Sequence, residues 1–142
     1  RSMSDIPGKP AGAAAVADDP HRVMVVDDSA VIRGLLSRAL EGDPELRVVA
    51  SVGDGQMAIN ALTRQSIDVI VLDIEMPVMD GLTATREIRK IDRWKTLPII
   101  MLTAKAMAED QNRCIEAGAN DYLSKPLDVD KLLSLTRVWM PR

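Results

Sequence analysis

The stretch VLDIEMPVMDG, at residues 71–81, decides the fold because a segment with the composition of a buried strand ends there on a charge. The apolar run begins at Ile67, and Asp73 directly follows its last leucine. Short runs of valine, isoleucine and leucine are typical of parallel strands that are covered on both faces. A carboxylate at the end of such a strand either costs stability or takes part in chemistry, and its neighbours in the fold determine which.

Short apolar runs alternate with amphipathic segments on both sides of this stretch. The predicted strands are residues 23–26, 46–51, 67–73, 97–102 and 122–123. Helical periodicity separates them, and the first helix is expected to follow a Ser29 cap and to bury Leu35, Leu36 and Leu40. Alternating elements with short connections predict an α/β fold, a doubly wound five-stranded parallel sheet with five helices.

Composition limits the classes of function. The chain has 142 residues, of which 46% are hydrophobic and 27% charged, as expected of one globular domain. No apolar run approaches the roughly 18–20 residues that a membrane span needs. A net charge of −3 with scattered cations argues against nucleic acid as the main partner. Cys114 is the single cysteine, which rules out an internal disulfide and fits a reducing compartment.

The chain divides into two parts. Residues 1–21 are rich in alanine, proline, glycine and aspartate and lack apolar periodicity, so we expect a flexible tail or an interdomain linker. Residues 22–140 carry all the predicted strands and helices and form the folded domain. Trp94 and Trp139 fall outside the core periodicity of this domain and are candidate interface residues.

Polar residues follow four of the five predicted strands, and parallel strands end at one common edge of a sheet. Asp27 and Asp28 follow the first strand, Asp73 ends the third, Thr103 follows the fourth and Lys125 follows the fifth. The second strand ends at Ser51, which carries no comparable chemistry.

Three clustered carboxylates repel one another unless a cation is supplied, and oxygen ligands with retained waters suit Mg²⁺. A threonine hydroxyl and a lysine ammonium are the groups that a phosphoryl oxygen needs. Aspartate itself is an established nucleophile for phosphoryl transfer. The pattern therefore predicts a magnesium site at which one aspartate is phosphorylated.

Four segments in this order resemble the receiver domain of bacterial two-component response regulators, which has a flavodoxin-like fold. They are the Asp27–Asp28 pair, VLDIEMPVMDG, LTAKA at 102–106 and AGANDYLSKPL at 117–127, with separations of 103 − 73 = 30 and 125 − 103 = 22 residues. The resemblance covers about residues 22–139. The first half is most similar to receivers of chemotaxis methylesterases, and the second half to receivers of hybrid histidine kinases.

The resemblance implies a role for each site residue. Asp73 would accept a phosphoryl group from a sensor histidine kinase, a histidine phosphotransfer protein or a small donor such as acetyl phosphate. Asp27, Asp28 and Asp73 would hold Mg²⁺ together with the backbone carbonyl of Glu75. Thr103 would bind one phosphoryl oxygen.

Lys125 would pair with another phosphoryl oxygen, and the Lys125–Pro126 bond would be cis. Such a domain is a cytoplasmic signalling module, not an enzyme beyond its own phosphotransfer and slow autodephosphorylation.

The resemblance also implies an output. Thr103 and the inward-turning Tyr122 would form the switch, with small Ala104 leaving room for the movement. The fourth helix, fifth strand and fifth helix would present the changed surface to a protein partner. We further expect Glu75 and Lys105 to pair across the mouth of the site and to tune phosphoryl lifetime.

Three alternatives stay open. The chain is either a stand-alone receiver or a fragment of a larger hybrid kinase or methylesterase regulator. It could also be an interaction module that works without phosphorylation, although its acidic set is complete. A hydrolase of the haloacid-dehalogenase type would carry an Asp-x-Asp motif after the first strand, whereas here the candidate nucleophile, Asp73, follows the third.

Overall fold

The structure is a computed structural model that describes residues 19–104 and 107–140. Its strands and helices alternate along the chain as the sequence predicts. In order they are β1 His21–Val26, α1 Ala30–Glu41, β2 Leu46–Val52, α2 Gly55–Arg64, β3 Val69–Asp73, α3 Gly81–Arg89, β4 Ile99–Thr103, α4 Ala108–Ala117, β5 Asp121–Ser124 and α5 Val129–Trp139. A short 3₁₀ turn, Asp92–Trp94, lies between α3 and β4.

The five strands form one parallel sheet in the order β2-β1-β3-β4-β5. The chain reverses its direction of winding between β1 and β3, and ligands bind at such reversal points in doubly wound sheets. Val26 pairs with Leu72, so the carboxyl ends of β1 and β3 lie side by side. Thr103 pairs with Ser124 at the same edge.

Each face of the sheet has its own apolar core. Alternate residues of β1 serve the two sides, because successive side chains of a strand point in opposite directions. Met24 and Val26 pack in the cluster that includes residues of α2, α3 and α4, whereas Val23 and Val25 pack in the cluster that includes residues of α1 and α5. All five residues of β3 are buried, so Asp73 ends a strand that is covered on both sides.

Every strand differs from its predicted bounds at one end or at both; β2 extends to Val52, and β5 runs over Asp121–Ser124 instead of residues 122–123. β3 begins at Val69, not at residue 67, and β4 begins at Ile99, not at residue 97. Pro98 has no N–H to donate to the sheet, and its carbonyl instead accepts a hydrogen bond from the Ile70 N–H. The shift places Thr103 inside β4 as its last residue. β1 begins at His21, one residue earlier than the predicted start of the domain.

The predicted buried face of α1 is partly wrong. Leu36 and Leu40 are buried as expected, but Leu35 is 46% exposed. Ser29 does cap the helix, since its Oγ accepts a hydrogen bond from the Ile32 N–H. Trp94 is not available as an interface residue, because the 3₁₀ turn leaves it only 7% exposed. Within residues 19–104 and 107–140, no helix is long and apolar enough to cross a membrane.

Candidate functional site

Three carboxylates meet at the carboxyl edge of the sheet. Asp27, Asp28 and Asp73 each offer an oxygen, and these oxygens all lie within 4.8 Å of one another. Asp27 and Asp73 are 1% and 2% exposed, whereas Asp28 is exposed. The structure therefore brings the predicted acidic residues together, with two of them held inside the protein.

Asp27 is held on several sides. Its backbone N–H donates to the carbonyl of Val52 at 3.1 Å. Its Oδ1 accepts a hydrogen bond from the Ser29 N–H at 2.9 Å, and its Oδ2 lies 3.5 Å from Lys125 Nζ. These contacts fix the Asp27 carboxylate beside Asp73, while the next residue, Asp28, is exposed at the edge of the cluster.

Asp73 is less well satisfied. Lys125 Nζ lies 3.1 Å from its Oδ1, but outside hydrogen-bond geometry, and this oxygen is the one buried side-chain N or O atom without a hydrogen-bond partner among the described residues. Burial raises the pKa of Asp73 from 3.8 to about 6, and the charge of Asp27 adds to the rise, while Lys125 and the Glu75 N–H oppose it. The ion pair with Lys125 therefore offsets only part of the cost of burying this carboxylate, and the oxygen can still accept a further donor or cation.

Lys125 supplies one positive charge at the site. Burial alone lowers the pKa of its ammonium group, but the contacts with Asp73 and Asp27 outweigh that effect and leave the pKa above its ordinary value. Lys125 therefore stays charged beside the two buried carboxylates. The Lys125–Pro126 peptide bond is cis, and the Lys125 N–H donates to the carbonyl of Thr103 at 2.8 Å.

The loop after Asp73 returns closely against it. The Gly81 N–H donates to the carbonyl of Ile74 at 2.8 Å, and a Cβ at Gly81 would collide with the Asp73 carbonyl. Only glycine allows this approach of α3 to the end of β3. Val78, at the tip of the loop, has a left-handed φ of 67° and is 86% exposed.

A hollow of about 530 Å³ opens beside the acidic cluster. Its lining residues come from the ends of β1 and β4, the loop after β3 and the first turns of α4: Asp28, Ile74, Glu75, Met76, Pro77, Asp80, Thr103, Asp110 and Arg113. The site thus combines clustered carboxylates, a buried oxygen without a hydrogen-bond partner and open space. An all-oxygen donor set of this kind fits a hard divalent cation such as Mg²⁺.

The two predicted switch residues lie close to the site. Thr103 is 2% exposed and lines the hollow. Tyr122 is half-buried on β5, and its hydroxyl donates to Gln111 Oε1 of α4 at 2.9 Å. Lys105, the expected partner of Glu75, lies outside the described residues, so their predicted pairing stays a prediction.

Three residues near the site escaped the sequence prediction. Asp110 and Arg113 of α4 line the hollow, and no sequence pattern marks them because their position depends on where α4 begins. Arg33 reaches from α1 to the backbone of Asp27 and to Ser51. Arg33 lies three and seven residues before the buried Leu36 and Leu40. This helical spacing places Arg33 on the same side of α1 as those two residues and could have indicated that it faces the protein.

A doubly wound sheet with paired carboxylates, a threonine and a lysine at its reversal point defines a phosphoacceptor-type signalling domain. The chain belongs to the response regulator receiver domain family, which matches residues 23–137. This finding confirms the family and the fold that the sequence motifs indicated.

Curated relatives point to one group within the family. The chain is 63% identical over 120 residues to a protein-glutamate methylesterase/protein-glutamine glutaminase of Azospirillum brasilense, covering 84% of this chain and 30% of that protein. A similar protein of Rhodospirillum centenum is 55% identical, with 92% of this chain and 33% of that protein covered. The chain thus spans about a third of the length of these relatives.

Solved structures agree on the fold. A response regulator from Chloroflexus aurantiacus has a TM-score of 0.82 at 31% identity, with 87% of this chain and 100% of that chain covered. The receiver domain of a sensor histidine kinase from Pseudomonas aeruginosa has a TM-score of 0.75 at 37% identity, with coverages of 84% and 98%, and holds a magnesium ion in its active-site cleft.

Proposed function

We propose that the chain is a phosphorylation-controlled switch in which Asp73 accepts a phosphoryl group from a histidine kinase or a histidine phosphotransfer protein. The observation that carries the proposal is the state of Asp73. Its carboxylate is buried, gathered with two others and left with one oxygen lacking a hydrogen-bond partner among the described residues. Natural proteins retain such unsatisfied groups mainly where function requires them.

The proposed step is a displacement at phosphorus. A carboxylate oxygen of Asp73 forms a bond to phosphorus while the bond from phosphorus to the donor nitrogen of a phosphohistidine breaks and its electron pair returns to the imidazole. When bound, Mg²⁺ offsets the charge of the three aspartates and of the incoming phosphoryl group. Asp27, Asp28, Asp73 and the backbone carbonyl of Glu75 are the residues that we propose hold it.

Two further side chains act on the phosphoryl group. Lys125, which lies 3.1 Å from Asp73 Oδ1 in the unphosphorylated protein, pairs with a phosphoryl oxygen once that carboxylate has become an acyl phosphate. The Thr103 hydroxyl at the end of β4 donates to another phosphoryl oxygen.

The output is proposed to run from Thr103 to Tyr122. Movement of Thr103 toward the phosphoryl group opens space behind it, and the Tyr122 ring turns inward, giving up its hydrogen bond with Gln111 of α4. The surface made by α4, β5 and α5 then changes its shape for a downstream protein. This is a two-state element biased by new charge.

We also propose the larger context. Similarity to methylesterase/glutaminase proteins supports a role as the regulatory receiver of such an enzyme, in the cytoplasm where the kinase acts. In this proposal the chain's own chemistry is limited to phosphotransfer and slow autodephosphorylation. Regulation of an esterase domain would then be the output of the α4, β5 and α5 surface.

The direct test is Mg²⁺-dependent phosphorylation. The protein is incubated with acetyl phosphate and Mg²⁺, and its intact mass is followed. We expect the addition of one phosphoryl group that EDTA and Asp73→Asn each prevent, while Asp43→Asn, which changes a buried aspartate far from the site, still allows it. Equal phosphorylation of Asp73→Asn, or none of the wild type at millimolar Mg²⁺, would contradict the proposal.

A further inference from the structure

Arg33 links the metal-binding loop to the neighbouring strand. Its Nη1 donates to the backbone carbonyl of Asp27 at 2.7 Å, and its Nε donates to Ser51 Oγ at 3.1 Å. Arg33 is half-buried on α1, on the side that also carries the buried Leu36 and Leu40. Ser51 of β2, which has no chemistry of its own at the site, therefore serves as an anchor for this guanidinium.

The bond to the Asp27 carbonyl acts on the next residue. The carbonyl of Asp27 and the N–H of Asp28 belong to one planar peptide unit. A donor that fixes this carbonyl therefore fixes the direction in which the chain enters Asp28. The Asp27 N–H and side chain are held separately by Val52, Ser29 and Lys125.

Asp28 depends on this orientation more than the other two carboxylates do. Asp27 and Asp73 are enclosed by the protein, whereas Asp28 is exposed beside the hollow. Mg²⁺ demands near-ideal octahedral geometry, so a small rotation of one ligand lowers its affinity. Residues that orient metal ligands through hydrogen bonds typically change affinity by 10–100-fold when they are replaced.

We propose that Arg33 is a positioning residue for the divalent cation, holding the peptide between Asp27 and Asp28 so that the Asp28 carboxylate faces the cluster. The inference rests on the proposed function, since it assumes that the acidic cluster binds Mg²⁺. It assigns to the Arg33–Ser51 pair a role in metal affinity that is separate from the acidic ligands themselves.

Charge and geometry predict opposite results at this residue. Arg33 is a cation close to the proposed binding site of another cation, so simple repulsion predicts that its removal strengthens Mg²⁺ binding. Positioning predicts that its removal weakens binding. The direction of the change therefore separates the two roles.

The test is a titration of the whole chain with Mg²⁺ alone, followed by the NMR shifts of backbone amides around the site. We expect Arg33→Gln to raise the dissociation constant about tenfold. Arg33→Lys keeps the charge, but a single ammonium group cannot reproduce the guanidinium's hydrogen bonds to both the Asp27 carbonyl and Ser51 Oγ. We expect this variant to weaken Mg²⁺ binding several-fold. Ser51→Ala removes only the anchor, and we expect it to weaken binding about twofold.

Arg38→Gln is the matched control, because it removes the same charge from an exposed position further along α1. We expect its Mg²⁺ affinity to equal that of the wild type. Urea unfolding of each variant without metal shows whether it folds. If Arg33→Gln does not fold, the Mg²⁺ affinities of Arg33→Lys and Ser51→Ala test the positioning role instead. Equal or tighter Mg²⁺ binding by the folded Arg33 variants would overturn the inference alone, whereas a wild type that binds no Mg²⁺ would overturn the proposed function as well.

Discussion

Two buried aspartates at opposite ends of the sheet differ in how they are satisfied. Asp43, in the loop between α1 and β2, is 4% exposed, and its oxygens accept hydrogen bonds from the Glu45 N–H at 3.0 Å and from Arg137 Nε at 2.9 Å. Asp73 is as deeply buried but has one oxygen without such a partner among the described residues. The chain thus gives both oxygens of the buried Asp43 a hydrogen-bond donor, whereas Oδ1 of Asp73 has, in the part of the chain that the structure describes, only the ion pair with Lys125 at 3.1 Å.

Arg89 extends the comparison to a half-buried cation at the amino edge. Its guanidinium donates to the carbonyls of Gly118 and Trp94 and to Asn120 Oδ1 at 2.8–2.9 Å, joining α3 to the turn before β4 and the loop before β5. Burial lowers the pKa of Arg89, but the group stays charged. Polar groups at this end of the sheet are paired, whereas the carboxylates at the other end are gathered at the proposed metal site.

The largest expected effect is at Arg89. Arg89→Met keeps the apolar stem but leaves three acceptors without their donor, so we expect the free energy of unfolding to fall by about 3–4 kcal/mol. Arg86→Met, at an exposed position of the same helix, should change it by less than about 0.5 kcal/mol. Urea unfolding measures both. A loss at Arg89 no larger than at Arg86 would break the contrast between the two edges.

Asp43 should come next. Asp43→Asn weakens the charge-assisted bonds to Arg137 and replaces one acceptor by a donor, and we expect a loss of about 2–3 kcal/mol. The ion pair itself contributes only part of this, because the Arg137 side chain is 70% exposed. Thermal unfolding followed by circular dichroism checks the value. If Asp43→Asn left the stability unchanged, the pairing of Asp43 with Arg137 and Glu45 would not be what stabilises the fold at this end of the sheet.

Asp73 should show the opposite sign. Without metal, Asp73→Asn removes a carboxylate whose charged form is disfavoured by burial and by Asp27, so we expect the protein to become more stable by about 1–2 kcal/mol at neutral pH. Excess Mg²⁺ should reverse the order, because it stabilises the wild type by binding. The measurement is urea unfolding with EDTA and with Mg²⁺. Destabilisation by Asp73→Asn in EDTA would show that Asp73 is satisfied after all.

The same substitution has a defined pH dependence. The folded protein holds the Asp73 proton up to a pKa of about 6, whereas the unfolded chain releases it near 3.8. Between these two pKa values the native state binds more protons than the unfolded chain, so the stability of the wild type falls relative to that of Asp73→Asn as the pH rises. Above both pKa values the difference in stability between the two proteins is constant. Unfolding at a series of pH values in EDTA measures this difference. A difference that does not change between pH 3.8 and 6 would contradict the assigned pKa.

The comparison also shows what sequence can predict. Asp27, Asp73, Thr103 and Lys125 were predictable because strand ends in a parallel sheet converge whatever the details of packing. Arg33 was missed because its position depends on the rotation of α1, and its spacing from Leu36 and Leu40 becomes informative only once the buried face of that helix is correctly placed. The exposed Leu35 shows that the expected buried face of α1 was partly wrong, and the true face carries Arg33. Trp94 escaped prediction because a three-residue 3₁₀ turn has no apolar period to detect.

The most direct test of the central claim is to locate the phosphoryl group. The protein is phosphorylated with acetyl phosphate and Mg²⁺ and then treated with borohydride, which reduces an aspartyl phosphate to homoserine and spares free carboxylates. Peptide mass spectrometry should find homoserine at position 73, with unmodified aspartate at 27, 28 and 43. Homoserine at another aspartate, or at none, would contradict the assignment of Asp73 as the phosphoacceptor.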